Sequence, residues 1–175
     1  EEKYNRMAKY CLQEDNYLHY FKNAGNFRDI TLAKQLLEKQ EVSPRGDLDF
    51  HKTFASMDRV VHRKPGYAFG ISMYSNRIQN YEDMNDENRK GWYTGEGMTY
   101  LYNADLAQYS DDFWPTVDPY RLPGTTVDTM RRADGSGEHR SPESWTGGST
   151  LKNFGSAGMS YDAWNSSLVA KKSWF

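Results

Sequence analysis

Cysteine is nearly absent: Cys11 stands alone among 175 residues. No internal disulfide is therefore open to this chain, and Cys11, within a helical pattern, reads as a small core residue. Scarce cysteine does not exclude an exported protein. Long hydrophobic runs are missing as well. Mean hydropathy is −0.92, no stretch approaches the roughly 20 apolar residues of a membrane helix, and nothing has the layout of a signal peptide. A basic excess is also lacking. The net charge of −2 and the pI near 6.1 argue against a nucleic-acid binder and against a membrane-surface binder. Aliphatic side chains are modest in number, whereas aromatics make up 15%, with 13 Tyr and 5 Trp. Rings must then supply much of any core. Two readings of them stay open: they are sheet-forming residues, or some are platforms for the apolar faces of sugars.

The chain reads as helices first and strands second. Tyr4, Met7, Ala8, Cys11 and Leu12 fall on one face of a helix over 3–13. Tyr17, Leu18, Tyr20 and Phe21 form a second apolar cluster, broken at Gly25-Asn26. Asp29 is placed to cap a further helix bearing Ile30, Ala33, Leu36 and Leu37. Ser43-Pro44-Arg45-Gly46 is a turn-like linker. Beyond it the period becomes two. Strands are predicted at 57–63, 67–75, 159–164 and 167–175. Residues 91–94 and 98–102 flank Gly95-Glu96-Gly97 and predict a hairpin. Ser110-Asp111-Asp112 can start one helical turn, and 131–150 has the composition of an exposed loop. Helices followed by strands imply separate layers and an antiparallel sheet rather than βαβ units.

The chemistry-bearing residues gather between the two strongest strands. Asn76 to Lys90 is a polar stretch containing Glu82, Asp83, Asp86 and Glu87, with Arg77, Arg89 and Lys90 nearby. A solvated charged loop is the plain reading of such a cluster. Paired carboxylates also serve glycoside hydrolysis, but that reaction needs them facing each other across a bond, which loop neighbours seldom do. Gly91, Gly95 and Gly97 lack the strand–loop–helix order of a phosphate loop. Asp118 and Asp128 flank Pro123-Gly124-Thr125-Thr126, but two carboxylates are too few for Ca²⁺, which takes six to eight oxygens. No His/Cys spacing suggests zinc. Asn165-Ser166-Ser167 is a formal glycosylation sequon.

Five runs in one order carry a family resemblance: MDRVVHR, YAFGISMYSNR, NYEDMNDENRKGWYTGEGMTYLYN, YSDDFWPTVDPYRLPGTT and KKSWF. With them the chain resembles the polysaccharide lyases of the hyaluronate, chondroitin AC and xanthan lyase family, over nearly its whole length. The resemblance implies a mainly antiparallel β fold, part of a large β-sandwich, preceded by a few helices from the end of an α/α-toroid. Residues 1–43 would be those helices, 44–50 a linker and 51–175 the first part of the central β-sandwich. The chain starts without Met in a helical pattern and stops in a strand pattern, so it is expected to be a piece of such an enzyme.

Family members act on uronate polysaccharides by β-elimination, using an Asn, a His, a Tyr and an Arg. A Glu from the β region fixes the Arg, and an Asn three residues later reaches the substrate. Glu82 and Asn85 match that Glu and that Asn. The catalytic Asn, His and Tyr lie upstream of the region matched here. Arg6 is not in the arginine motif, and His19, His51, His62 and His139 are not the catalytic histidine, His62 reading as a packing or surface residue. The fragment alone is expected to lack lyase activity and to require no cofactor. Its expected partners are an acidic polysaccharide and the rest of its own toroid and β domains, with no nucleic acid and no membrane, in an extracellular setting. Trp92, Trp114 and Trp145 are candidates for stacking on sugar, with core packing the expected role of Trp92 and Trp114. A non-catalytic carbohydrate-binding β-sandwich is the alternative, separated from the first reading by whether a toroid with Asn, His and Tyr precedes the chain. A β domain with no ligand is the third.

Overall fold

The computed structural model describes residues 2–14, 25–162 and 169–175. The apolar cluster at 17–21, His19, Trp164 and the sequon at 165–167 lie outside the described residues. The chain divides into two compact units, Glu1–Leu48 and Asp49–Phe175.

In the first unit, helices α1 (Glu2–Gln13) and α2 (Phe27–Glu38) pack on each other. Asn26, not Asp29, caps α2. Its extended backbone lets Oδ1 accept the Asp29 N–H at 2.8 Å, while its amide donates to the Asp29 carboxylate at 2.6 Å. Asp29 therefore takes the third helical position, where its N–H is capped and its carboxylate bonds back to the capping side chain. The predicted apolar stripes are only half used: Leu12 is buried, but Tyr4, Met7, Ile30 and Leu37 are exposed. Two helices of three turns bury only the strip between them, and these stripes are wider than that strip.

The second unit holds seven described strands in two antiparallel sheets. The first sheet runs β1 (Phe50–Phe54), β2 (Arg59–Lys64), β3 (Tyr67–Ser72), β4 (Met98–Tyr102), each beside its sequence neighbour. The second runs β5 (Trp145–Leu151), β6 (Phe154–Asp162), β7 (Val169–Trp174). Opposed pairs such as Val60 with Ile71 set the register of the first sheet. The two sheets share one core, built from Val60, Ile71, Met73 and Tyr74 on one side and Ala157, Met159 and Tyr161 on the other.

A polar staple supplements this core. Asp58, buried and left-handed (φ 49°) between β1 and β2, accepts from Ser75 Oγ and Arg77 at 2.5 Å and from Thr146 Oγ1 of β5 at 2.7 Å. The fold thus ties its two sheets together with a carboxylate as well as with rings.

Strand β1 is absent from the sequence reading because its inward positions are His51 and Thr53 rather than aliphatics. The predicted hairpin of 91–94 with 98–102 does not form. Residues 91–97 make successive turns instead, and β4 pairs with β3. The reason is close packing: a Cβ on Gly95 would stand 2.1 Å from the Asn80 carbonyl oxygen. This glycine serves a backbone contact, not a strand. The expected exposed loop at 131–150 is also corrected. Arg132, Ser141 and Ser144 are buried, and the segment ends in β5, whose Gly147-Gly148 weakens its strand signal. The helical turn after Asp112 is present as α3 (Phe113–Thr116).

Candidate functional site

Strands β3 and β4 are hydrogen-bonded neighbours, so the 25 residues between them leave and re-enter one rigid edge. A second core lies beneath this excursion: Tyr81, Trp92, Tyr93, Met98 and Leu122, with Tyr120 stacked on Trp92 at 5.4 Å. Trp92 is a packing residue, as expected. Trp114 is not: it is 46% exposed, because α3 is a single turn at the surface. Trp145 is exposed as well.

The outer loop is fixed from within by a buried amide. Asn80 Nδ2 donates to the Trp92 carbonyl at 2.9 Å, and Asn80 Oδ1 accepts the His139 N–H at 2.9 Å. The next residue, Tyr81, donates its hydroxyl to the Ser136 carbonyl. Burial, with Asp83 and Glu138 beside it, pushes that phenol up to about 12. One residue beyond Glu82, the Asp83 N–H donates to the Glu138 carboxylate, which also accepts from Gln79 Nε2 at 3.2 Å. Asn88 Nδ2 donates to the Glu82 carbonyl at 2.9 Å. The backbone around Glu82 is thus held on both sides.

The tip is a tight turn. Glu87 N–H donates to the Met84 carbonyl at 2.8 Å, with Asn85 and Asp86 at φ 53° and 62°. Two successive positive φ angles are those of a type I′ turn, which Asn and Asp tolerate because their short polar side chains bond locally. Asn88 follows at φ 54°. On the return limb a Cβ at Gly91 would meet the Asn88 amide and the Tyr81 ring at 2.6 Å, so the limb closes onto the loop only with glycine there.

Glu82 and Asn85 both lie on this exposed tip. No hydrogen bond joins them, and among the described residues the Glu82 carboxylate has no ion pair. A carboxylate aimed at solvent from a pinned backbone is free to meet a cation or a sugar hydroxyl supplied from outside this unit. Of the other carboxylates in the cluster, Asp86 lies 3.8 Å from Arg89. His62 stacks with His51 at 5.6 Å and with Tyr67 at 6.0 Å on the first sheet, a packing role. His139 packs on Tyr74 and serves the loop through its backbone.

The two aspartates considered for Ca²⁺ are engaged elsewhere. Asp128 pairs with Arg132 at 2.5 Å and Asp118 with Arg121 at 3.4 Å. Among the described residues no three potential ligands converge on a metal position, and no helix is long and apolar enough to cross a membrane. Asn80 and Glu138 escaped the sequence reading. Asn80 stands inside the NYEDMN run, but nothing local distinguishes it from the other polar residues there. Glu138 carries no local signal, since its partner lies 55 residues away.

Residues 49–175 match the family described as polysaccharide lyase family 8, super-sandwich domain. A hyaluronate lyase of Enterococcus faecalis, HylB, is 43% identical over 189 residues, covering 100% of this chain and 19% of that protein. The structure of a Paenibacillus xanthan lyase superimposes with a TM-score of 0.83 at 46% identity, over 99% of this chain and 16% of that one. A Streptomyces coelicolor chondroitin AC lyase solved with chondroitin sulphate gives 0.74 at 40% identity, over 84% of this chain and 20% of that one. The chain spans 13% to 22% of the length of the curated relatives it matches first. With the family model spanning its whole second unit and relatives aligned along almost all of it, this chain belongs to polysaccharide lyase family 8.

Proposed function

We propose that this chain is part of an extracellular polysaccharide lyase that cleaves uronate-containing polymers of the hyaluronan, chondroitin or xanthan type by β-elimination. The chain contributes one wall of the catalytic cleft and has no turnover by itself. The supporting observation is the Glu82 carboxylate, unpaired among the described residues and exposed on a backbone fixed by Asn88 and Glu138.

The reaction explains why such a residue is needed. A base removes the C5 proton of the uronate, the C4–O bond breaks, a C4=C5 double bond forms, and the leaving oxygen takes a proton. The C5 proton is too weakly acidic while the adjacent carboxylate keeps its full charge, so positive and hydrogen-bonding groups must offset it. In this reading Glu82 orients and charge-balances an arginine supplied from outside the second unit, and Asn85 hydrogen-bonds a sugar.

The test is ultraviolet absorbance of the unsaturated uronate, using the longest protein that contains this chain, on hyaluronan, chondroitin sulphate and modified xanthan. A rise with one polymer supports the proposal and names the substrate. Binding without any rise overturns it in favour of a binding module. Turnover by the 175-residue chain alone overturns the division of labour.

A further inference from the structure

A cleft of about 580 Å³ opens beside the turn that carries Asn85, within the size range of saccharide and small-ligand sites. One wall is the return limb of the same loop, with Asn88, Arg89 and Lys90; the other is Trp114 and Pro115 of α3. Trp114 is exposed yet not loose. Its ring stands edge-on to Phe113 at 5.0 Å, Phe113 to Tyr109 at 5.1 Å, and Tyr109 to Tyr102 of β4 at 4.9 Å. A ladder of rings thus fixes an exposed indole to a strand, so little side-chain freedom remains to be lost when something stacks on it.

The opposite wall carries two lightly engaged cations, Arg89 and Lys90, beside the Asp86 carboxylate. Lys90 makes no hydrogen bond or ion pair among the described residues. The Arg89 guanidinium has only the exposed, 3.8 Å contact with Asp86 among the described residues, a pairing that contributes little and exchanges readily. Asp134 at the rim adds hydroxyl-binding capacity. An apolar ring face opposite two available cations is the complement of a sugar that carries an apolar C–H face and an anionic substituent.

We propose that this cleft is a second saccharide site, which holds a uronate or sulphated unit of the same polymer a short way along the chain from the unit that meets Glu82 and Asn85. The identity of the polymer rests on the proposed function; binding in the cleft does not require turnover. Trp114 provides the stacking face, and Lys90 and Arg89 bind the anion.

The experiment is a titration of the 175-residue chain with hyaluronan and chondroitin sulphate hexasaccharides, with cellohexaose as the neutral control. The readout is the indole N–H signals in a ¹⁵N–¹H spectrum. Trp114→Phe identifies the Trp114 signal, and the spectrum itself reports whether each variant is folded. The expected result is a saturable shift at Trp114 and in the amides of 88–91 with the acidic sugars. Affinity should fall about tenfold in Lys90→Gln and in Trp114→Ala. No shift at millimolar sugar, or an equal response to cellohexaose, overturns the second site. The two proposals fail separately. Turnover by the longer protein with a silent Trp114 removes only this one, and a responsive Trp114 without turnover removes only the lyase reading.

Discussion

Asn80 and His139 lie 59 residues apart and are joined twice: the Asn80 N–H donates to the His139 carbonyl at 3.1 Å, and the His139 N–H donates to Asn80 Oδ1 at 2.9 Å. The same side chain holds the Trp92 carbonyl. One buried amide therefore fastens the start of the Glu82 loop to its end and to the segment covering it.

Asn80→Ala leaves a buried N–H and a buried carbonyl unsatisfied. The expected loss is about 2–4 kcal/mol, from the desolvation penalty of each orphaned group. Urea denaturation checks it. Asn80→Asp keeps the acceptor for His139 but not the donor for Trp92. A variant at position 80 with an unchanged midpoint contradicts the fastening role.

Arg132 and Asp128 form a pair at 2.5 Å with both side chains almost wholly enclosed, and Arg132 Nε also donates to the Tyr93 hydroxyl at 3.2 Å. Arg132→Met should cost roughly 3–5 kcal/mol, because it strands a carboxylate away from water. Adding Asp128→Asn should restore part of that loss. A double variant as unstable as the sum of the two single variants shows that the pair is not coupled.

Glu96 sits buried between Arg132, Lys172 and Asp128, and its Oε2 has no hydrogen-bond partner among the described residues. Burial pushes its carboxyl up to about 8, overcoming the pull of Arg132 and Lys172, with Asp128 adding to the push. The folded state then keeps a proton that the unfolded chain releases near 4.5. Stability relative to Glu96→Gln should fall as pH climbs from about 4.5 to about 8, by at most about 1.4 kcal/mol per pH unit. Lys172 acts in the next window. Burial lowers its ammonium from 10.5 to about 8, against the pull of Glu96, so its contribution rises between those values. Parallel denaturation midpoints for wild type and Glu96→Gln across pH 5 to 8 exclude the effect.

Glu82→Gln, placed in the longest protein containing this chain, should lower kcat strongly while leaving the denaturation midpoint within about 0.5 kcal/mol of wild type, the range for exposed surface changes. Among the described residues the carboxylate has no partner to lose. Unchanged turnover removes Glu82 from the proposed role.

Much of the candidate site was legible because it is local. The YEDMN run places Glu82 and Asn85 on one polar stretch, and the alternation of 67–75 and 98–102 predicts the two strands that hold it, the first ending at Ser72. Asn85-Asp86 also carries its own turn chemistry. Strand β1 was not legible, since His51 and Thr53 face inward where aliphatics were expected. Nor was the role of 131–150: its polar composition is that of a loop, yet Arg132, Ser141 and Ser144 are buried by partners far away in sequence.

Composition and period alone determined that helices precede an antiparallel β region, that rings build the core, and that the polar stretch after β3 stands outside it. Those properties arise from each residue's own hydropathy and from neighbours two to four positions away. Tertiary structure alone decided that Gly95 meets Asn80, that Glu138 holds the backbone beside Glu82, that Trp114 faces solvent opposite Lys90, and that Glu96 is buried among charges. Each depends on the distance between residues dozens of positions apart. No local pattern encodes that distance, because only the packing of the two sheets and their covering loops sets it.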